Sequence, residues 1–448
     1  MHFGLALTFN ISVHLSFSPS LFQLEEVAPT FESLLANNPN IEFIQRNVQG
    51  IDIENDKVYL TKTEKDLTST TTTISESISY NSLIVATGSR INLSSIKGAS
   101  TYALPFYTVQ DCYELRKQLN ILDAYVQSLI QNQDHHQQQR QKDISIVIVG
   151  GGYSGVELAL NLKERLAIKS TQSKHNKTEK SMSNIPNVNV TLLHRGEEVL
   201  QYATEYNKRN GQQRLIDAGV QICTEQGVIE VIPSPPSQTN NNDQDEDLIN
   251  SFKYKCQVVT NDSTIDADLL LWTAGAMASN EQRDILNSKL PRDSKGRIVT
   301  NQYLQVKDVS NVYALGDCSR TKKIPYAATA AVAMQQAPAV AWNVFASTTR
   351  ENLETSNNGE YQRRKNELDP IPFEYIDLGQ MLTLGGDDAT ISSLSGAFEI
   401  DGSVASIARR LIYAVRMPTL QQALTAAISS TNKRLEKNTL KKVNKVID

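Results

Sequence analysis

A glycine-rich turn carries the strongest chemical signal in the chain. The sequence GGGYSG, residues 150–155, follows an apolar run and directly precedes an amphipathic helical pattern over 155–167. With this spacing, Gly150 permits a tight turn, Gly152 lets the backbone approach a pyrophosphate, and Gly155 lets the helix pack closely on the strand. Free N–H groups at a helix N-terminus also favour anions. We therefore predict a dinucleotide site that also includes Tyr153 and Ser154, with a glycine-rich turn without a ligand as the alternative.

The end of the next predicted strand bears on the choice of nucleotide. That strand, Val188–Leu193, is followed by His194 and Arg195, where a carboxylate would bind the ribose hydroxyls of NADH. An arginine at this place can instead pair with the 2′-phosphate of NADPH. We predict that Arg195 binds the nucleotide and favours NADPH. An exposed arginine at a strand end is the alternative.

Two strand-to-glycine turns elsewhere in the chain resemble each other. YNSLIVATGSR, residues 80–90, and DADLLLWTAGA, residues 266–276, each pass from a polar start through an apolar run to a turn of small residues. This internal echo predicts two similar dinucleotide-binding halves. It adds Ala86, Thr87 and Gly88 to the site of one half, and Ala274 and Gly275 to the site of the other.

A further group of candidates lies between residues 312 and 340. The segment VYALGDCSR contains Gly316 and Asp317, and a carboxylate after a short strand can accept hydrogen bonds from ribityl hydroxyls. An aspartate that caps the following segment is the alternative. The alanine-rich segment 325–340 includes Ala327, and its small residues allow close approach to a flat ring system. It also carries Gln335 and Gln336, although alanine-rich packing without a ligand explains it equally.

A parallel sheet would bring these turns together. Four apolar runs are continuous rather than alternating, which is typical of strands buried on both faces of a parallel sheet. They are Ser82–Ala86, Ile144–Val149, Val188–Leu193 and Leu269–Trp272. The fold class is therefore α/β, and 448 residues suggest two or three domains. Five polar stretches are predicted surface-loop insertions: 61–79, 131–142, 169–187, 233–250 and 347–367.

Composition excludes several classes of protein. The net charge of −5 gives the molecule no nucleic-acid character. The four cysteines form no CxxC pair, so neither a redox dithiol nor a metal site is predicted. No apolar run reaches the length of about 18 residues that a spanning helix needs. The first 17 residues lack a basic n-region, so we predict an interior strand there rather than a signal peptide.

The C-terminal segment has a pattern typical of membrane-surface helices. Apolar residues repeat at helical spacing over 403–416, and a second stripe follows Met417-Pro418. Six basic residues then form a tail: Lys433, Arg434, Lys437, Lys441, Lys442 and Lys445. An apolar stripe beside basic residues suits a helix lying in the headgroup plane of an anionic membrane. Packing on the protein's own core is the alternative. The two stripes are Val404, Ile407, Ala408, Leu411 and Val415, then Leu420, Ala423, Leu424, Ala427 and Ile428.

In combination, these motifs resemble a known family. IVIVGGGYSGVELA, the two ATG-type turns, YALGDC and AMQQ occur in the order typical of pyridine nucleotide-disulfide oxidoreductase-fold flavoproteins. Segments 373–392 and 408–424 resemble type II NAD(P)H dehydrogenases, in particular the plant and cyanobacterial branch that reduces naphthoquinones such as demethylphylloquinone. The resemblance implies two Rossmann-like domains that bind FAD and NAD(P)H. It also implies that two electrons pass from NAD(P)H through the flavin to a membrane quinone.

The resemblance assigns roles to individual residues. Glu157 matches a family glutamate close to the nicotinamide, and a first-turn acid favoured by the helix dipole is the alternative. Gln335 matches a catalytic polar group near the quinone, with Gln336 beside it. The family's AQxxxQ pattern reads AAVAMQ here, because Ala331 replaces the first glutamine. The expected FAD contacts are Ala86, Thr87, Gly88, Gly316, Asp317 and Ala327.

The resemblance also implies a domain plan. We expect an FAD domain of residues 1–115 and 276–345, an NAD(P)H domain of 143–275, and a C-terminal quinone- and membrane-interaction domain of 368–448. Family members begin with a strand, a first GxGxxG and a helix. These are missing from the sequence, so we expect the FAD domain to lack a front of about 30 residues.

Location and partners follow from the same resemblance. We expect a peripheral protein on a thylakoid or an organelle inner membrane of chloroplast or mitochondrion, with a targeting segment not present in this chain, and a homodimer is compatible. Two other functions remain open. One is a soluble flavin reductase with a different acceptor, such as a ferredoxin or a disulfide substrate. A disulfide substrate would normally need a CxxxxC motif, which the chain lacks. A degenerate NAD(P)-binding homologue with impaired FAD binding would explain the missing first glycine motif.

Overall fold

The computed structural model describes residues 3–7, 31–36, 38–61, 76–131, 143–174, 187–235, 253–278, 290–355, 365–393 and 396–415. Its strands are β1 (Phe3–Leu7), β2 (Val48–Asp52), β3 (Lys57–Leu60), β4 (Ser77–Ser79), β5 (Ser82–Ala86), β6 (Ser89–Ile91), β7 (Leu104–Pro105), β8 (Ile144–Val149), β9 (Val188–Leu193), β10 (Gln221–Cys223), β11 (Val228–Pro233), β12 (Cys256–Thr260), β13 (Thr264–Ala267), β14 (Leu269–Trp272), β15 (Ala276–Ala278), β16 (Ile298–Thr300), β17 (Val312–Ala314), β18 (Ser319–Thr321), β19 (Gln380–Thr383), β20 (Ala389–Ser393) and β21 (Phe398–Asp401). The helices are α1 (Phe31–Leu35), α2 (Ala99–Tyr102), α3 (Val109–Gln131), α4 (Tyr153–Lys174), α5 (Glu205–Asp217), α6 (Ala330–Thr355) and α7 (Gly402–Val415). All four predicted buried strands are confirmed with the bounds that the sequence indicated.

The first of two compact units comprises residues 1–10, 42–90 and 276–376. Its central sheet has three parallel strands in the order β1-β5-β17. Leu83 and Val85 of β5 pack in one core with Val312 and Ala314 of β17. Parallel neighbours end at the same edge of a sheet, so the turns after β5 and β17 lie together. The unit also contains the antiparallel sheet β2-β3-β4 and the pair β16-β18.

The second unit comprises residues 11–41, 91–275 and 377–448. Its main sheet has five parallel strands in the order β10-β9-β8-β14-β7. Alternate side chains of β8 enter two different cores: Ile146 and Ile148 face one, while Val147 and Val149 face the other. Because successive side chains of a strand point to opposite faces, burial on both faces requires the continuous apolar run that the sequence shows.

A three-stranded antiparallel sheet, β19-β20-β21, completes the second unit. Helix α7 packs on it through Ala405, which contacts the core formed by Ala389 and Ile391. The predicted C-terminal helix is therefore confirmed over Gly402–Val415. The second apolar stripe and the basic tail lie outside the described residues. Within the part of the chain that is described, no helix has both the length and the apolar character needed to cross a membrane.

The compact units differ from the predicted domain limits in several segments. Residues 11–41 belong to the second unit rather than to the FAD domain, and residues 377–448 share that unit with the predicted NAD(P)H domain instead of forming a unit of their own. Residues 91–115 belong to the second unit, because β7 extends the five-stranded sheet beside β14 and Leu115 of α3 is fully buried in its core. Residues 368–376 belong to the first unit, because Phe373 packs with Tyr313 and Val340. The domain plan implied by the resemblance does not capture these last two differences, since each segment packs against residues distant in sequence.

Three predicted loops are shorter than predicted, and the loop 347–367 is shortened at both ends because a 3₁₀ helix forms at Lys365–Leu368. Strand β4 forms at Ser77–Ser79, α4 continues to Lys174, and α6 continues to Thr355. Polar residues can extend a helix that buried turns have already nucleated, since adding a residue costs far less than starting a helix. The middle of each stretch lies outside the described residues. At the N-terminus the predicted strand is confirmed, because β1 pairs in parallel with β5.

Candidate active site

The glycine turn after β8 has the geometry that the motif requires. Gly150 adopts a φ of 119°, which other residues rarely accept. A Cβ on Gly155 would lie 1.7 Å from the carbonyl oxygen of Gly150, so only glycine allows helix α4 to start so close to β8. Gly152 is exposed, and a Cβ there would meet no atom within 4 Å. The turn thus leaves open space beside the N-terminus of a helix, where Ser154 is also exposed.

A second turn lies against the first, because β14 is the parallel neighbour of β8. The Thr273 hydroxyl donates a hydrogen bond to the carbonyl oxygen of Val149 at 3.0 Å and lies 3.1 Å from that of Gly150. The next residue, Ala274, is half-buried. Gly275 is exposed, and a Cβ on it would meet no atom within 4 Å. The structure therefore brings the predicted nucleotide residues of β8 and β14 to one sheet edge.

The two side chains that follow β9, His194 and Arg195, have different surroundings. The Gly151 N–H donates to Nδ1 of His194 at 3.2 Å, so His194 braces the glycine turn. Burial, and next the charge of Arg195, lowers the pKa of His194, which favours the neutral ring that accepts this bond. Arg195 is exposed and has no ion pair with any residue that the structure describes. No sequence motif predicted this role of His194, although its place beside Arg195 at the strand end was a usable signal.

Strand β19 contacts the start of α4 at two positions. The Tyr153 hydroxyl donates to Oε1 of Gln380 at 2.5 Å, and burial raises the pKa of Tyr153 to about 12. Glu157 is only 3% exposed and accepts the N–H of Thr383 at 2.8 Å. Both side chains of the predicted site are therefore fixed by the C-terminal sheet, and Gln380 is a residue of this site that the sequence analysis missed.

In the first unit, the turns after β5 and β17 meet as predicted. The Ser89 hydroxyl donates to the Asp317 carboxylate at 2.8 Å, which links the turn of Ala86, Thr87 and Gly88 to the other turn. Gly88 and Gly316 have φ values of 65° and 69°, so both turns need glycine.

The two glutamines of α6 have protein partners. Gln336 is 3% exposed, and its Oε1 accepts the N–H of Gly316 at 2.7 Å. This bond holds the turn after β17, and it argues against the predicted contact of Gln336 with a quinone, because its carbonyl is buried and engaged. Gln335 is half-buried, and its amide exchanges two hydrogen bonds with the backbone of Ile376, at 2.9 and 3.0 Å.

The residues present fit part of an FAD molecule. Asp317 lies at the meeting point of two parallel strand ends, and Ala327 is an exposed small residue before α6, which suits close approach of a flat ring. The adenosine half has less support, because the chain contains no glycine between Gly4 and Gly50 and so no glycine turn follows β1. The turn after β8 in the second unit, by contrast, has all the glycines of its motif.

Comparison with known proteins supports the assignment of dinucleotide-binding sites to this chain. A family model for pyridine nucleotide-disulphide oxidoreductases matches residues 12–337. The demethylphylloquinone reductase of Synechocystis is 30% identical over 425 residues, covering 92% of this chain and 85% of that protein. An alternative NAD(P)H-ubiquinone oxidoreductase of Arabidopsis thaliana, described as chloroplastic or mitochondrial, is 27% identical and covers 92% and 72%.

A solved structure agrees at the level of the fold. NDH2 of Plasmodium falciparum in complex with NADH superposes with a TM-score of 0.63 at 15% identity, covering 87% of this chain and 83% of that one. The similarity extends over both compact units rather than over one nucleotide-binding module. Together with the family model, these matches show that the chain belongs to the pyridine nucleotide-disulphide oxidoreductase family.

Proposed function

We propose that the chain is an FAD-dependent NAD(P)H:quinone oxidoreductase that passes two electrons from NAD(P)H to a membrane quinone. The glycine turn at β8 carries the proposal, because Gly152 leaves open space beside a helix N-terminus at the edge of a parallel sheet. The names of the two curated relatives, a demethylphylloquinone reductase and an NAD(P)H-ubiquinone oxidoreductase, support the choice of a quinone as acceptor.

The roles of the chain's own residues follow from their surroundings. When bound, FAD supplies the hydride and electron chemistry, while the protein positions the reactants. Asp317 accepts hydrogen bonds from ribityl hydroxyls, and Gln336 holds the Gly316 turn in place. Glu157, buried and bonded to the N–H of Thr383, orients the nicotinamide end of the nucleotide. Each of these roles is a proposal.

The central experiment loads the purified full chain with FAD and follows NADPH oxidation by a water-soluble naphthoquinone. We expect quinone-dependent oxidation with FAD bound. If the FAD-loaded chain binds nucleotide but leaves the quinone unreduced, the degenerate NAD(P)-binding homologue becomes the better account. The lack of any glycine between Gly4 and Gly50 motivates a second measurement, the affinity for FAD. We expect this affinity to be weak, because no glycine after β1 lets the backbone approach the FAD pyrophosphate closely.

We propose that NADPH is preferred over NADH. Arg195 is exposed and unpaired among the described residues, so its guanidinium is available to a 2′-phosphate. A charge-assisted hydrogen bond of about 1.5–3 kcal/mol would favour NADPH roughly tenfold to a hundredfold in kcat/KM. Arg195→Glu should reverse the preference. Equal kcat/KM for both nucleotides in the unaltered enzyme would exclude this role for Arg195.

We propose that Gln335 supports the quinone site from its place in α6. Its two hydrogen bonds to Ile376 fix the backbone of that segment against the helix. Gln335→Ala should slow quinone reduction in stopped-flow measurements and leave flavin reduction by NADPH unchanged. If both half-reactions slow together, Gln335 serves the flavin rather than the quinone.

We propose that α7 binds a membrane surface. Val404, Leu411 and Val415 of its apolar stripe are 65%, 53% and 82% exposed, so these three side chains are not buried on the described part of the protein's own core, whereas Ala408 of the same stripe packs against the core of the C-terminal sheet. Replacing Val404 and Leu411 with serine should abolish sedimentation with anionic liposomes and spare turnover of a water-soluble quinone. Ile229→Ser, at an apolar side chain outside α7 that is 59% exposed, is the matched control. Unchanged sedimentation of the double variant would exclude the stripe as the membrane contact.

We propose an organelle membrane as the location and a homodimer as the oligomeric state. The name of the Arabidopsis relative includes chloroplast and mitochondrion, which supports a thylakoid or an inner membrane of one of these organelles. Fractionation of organelles with an antibody to the chain tests the location. Size-exclusion chromatography with light scattering tests the proposed homodimer.

A further inference from the structure

Strand β19 of the C-terminal sheet begins with a glutamine that touches the nucleotide-binding part of the second unit. Oε1 of Gln380 accepts two hydrogen bonds, from the Tyr153 hydroxyl at 2.5 Å and from the Thr204 N–H at 2.9 Å. Its backbone oxygen accepts a third, from Nδ2 of the fully buried Asn207 at 3.2 Å. One residue thus joins α4, the N-cap of α5 and the C-terminal sheet.

The far end of β19 is fixed as well. The N–H of Thr383 donates to Glu157, one helical turn after Tyr153 on α4. In the turn that follows β19, the Gly386 N–H donates to Glu164 of α4, and Asp388 forms an ion pair with Arg214 of α5 at 2.7 Å. The strand therefore lies along α4 and α5 with contacts at both ends, so its first residue has a defined position.

Gln380 also connects to the glycine turn by a second route. The N–H of Leu200 donates to the carbonyl oxygen of Gly151 at 2.7 Å. The short segment from Leu200 to Thr204 is therefore bonded to the glycine turn at one end and to Gln380 at the other. Removal of the Gln380 acceptor loosens both the Tyr153 side chain and this segment.

These contacts matter because Tyr153 is the first residue of α4. The backbone N–H groups in the first turn of a helix are the ones free to bind a pyrophosphate. A binding site whose donors are already fixed loses less freedom when the ligand arrives, so the affinity is higher. Anchoring the Tyr153 side chain to β19 fixes the turn that presents those donors.

We propose that Gln380 is a positioning residue for the nucleotide, through which the C-terminal sheet sets the affinity of the glycine turn for NAD(P)H. The proposal rests on the proposed function only in taking NAD(P)H as the ligand of that turn. It extends the nucleotide site to a strand that lies more than two hundred residues beyond the glycine motif. It also ties nucleotide affinity to the sheet that carries α7.

The test compares Gln380→Leu, Tyr153→Phe and the double variant in the FAD-loaded full chain. Loss of the hydrogen bond between Tyr153 and Gln380 should raise the KM for NADPH and the Kd for NADP⁺, measured by calorimetry, about three- to tenfold. We expect kcat to stay within about twofold, because the acceptor does not touch the reacting atoms. The double variant should bind no more weakly than Gln380→Leu alone, since Gln380→Leu already removes the hydrogen bond that Tyr153→Phe removes.

Gln213→Leu is the matched control. Gln213 lies exposed on α5 and bonds only to Asp217 among the contacts described for it, so its replacement should leave KM and Kd unchanged. Tyr153→Phe removes a single oxygen atom, and it carries the test by itself if Gln380→Leu does not fold. A wild-type Kd in a folded variant that lacks the bond overturns the positioning role, as does a fall in kcat with an unchanged KM. If the wild-type chain itself binds neither NADP⁺ nor NAD⁺, the proposed function fails instead.

Discussion

Gly155 offers a sharp test of how the nucleotide turn is built. In Gly155→Ala, the new Cβ would lie 1.7 Å from the carbonyl oxygen of Gly150 and 3.0 Å from Oγ1 of Thr273. Ordinary carbon–oxygen contacts are about 3.3 Å, so the overlap is about 1.6 Å, and it involves a backbone atom that cannot rotate away. Helix α4 must therefore move off β8 and disturb Val156 and Leu158, which pack in the core at 0% and 2% exposure.

The loss of stability should be large, because an overlap with a backbone atom places this substitution at the upper end of the destabilisation that overpacking usually causes. We expect the free energy of unfolding to fall by about 3 kcal/mol, which corresponds to a loss of roughly 6–12 °C in Tm for a unit of this size. Urea unfolding and calorimetry measure both quantities. A Tm within about 2 °C of wild type would refute the close approach of α4 to β8.

Gly152→Ala is the matched comparison within the same turn. No atom lies within 4 Å of its Cβ, so stability should change by less than about 1 kcal/mol. The methyl group instead occupies the space beside the helix N-terminus, and the KM for NADPH should rise at least about tenfold. Unchanged nucleotide affinity in Gly152→Ala would show that the ligand does not approach this face of the turn.

Three further predictions concern groups outside the glycines. The pKa of His194 is lowered in the folded protein, so the unfolded chain binds more protons below a pH of about 6.5 and stability falls as the pH drops. His194→Asn keeps an acceptor for Gly151 and should make the stability depend less on pH, measured by urea unfolding between about pH 7 and 5. The same pH dependence in the variant and the wild type would contradict this prediction. Gln336→Leu leaves the Gly316 N–H without its acceptor. We expect it to lower the free energy of unfolding by about 1–3 kcal/mol and to reduce the fraction of the protein that binds FAD. Full FAD occupancy in this variant would argue that the turn keeps its shape without Gln336. Burial raises the pKa of Cys256 to about 12 and also raises that of Cys223, so a thiol reagent at mildly alkaline pH should label the native chain slowly and all four thiols after unfolding; rapid labelling of several thiols in the native state would contradict the burial.

The sequence by itself determined the local elements of this protein. The strands β5, β8, β9 and β14 were predicted with correct bounds, because a run of β-branched and leucine residues buried on both faces leaves little alternative. The glycine turn was equally determined, since the close contact of Gly155 with Gly150 joins residues only five positions apart. The amphipathic pattern of α7 was also read correctly, because a helical stripe is a local property.

Only the tertiary structure decided which side chains those elements bring together. Gln336 bonds to Gly316 and Gln335 to Ile376, rather than being left free for a ligand. The bond between Tyr153 and Gln380 joins residues 227 positions apart. No spacing rule indicates such a pair, because it depends on the position that β19 takes on α4. Hydrogen bonds of this kind arise when a distant strand packs on a helix, and packing is a property of the whole core rather than of any segment.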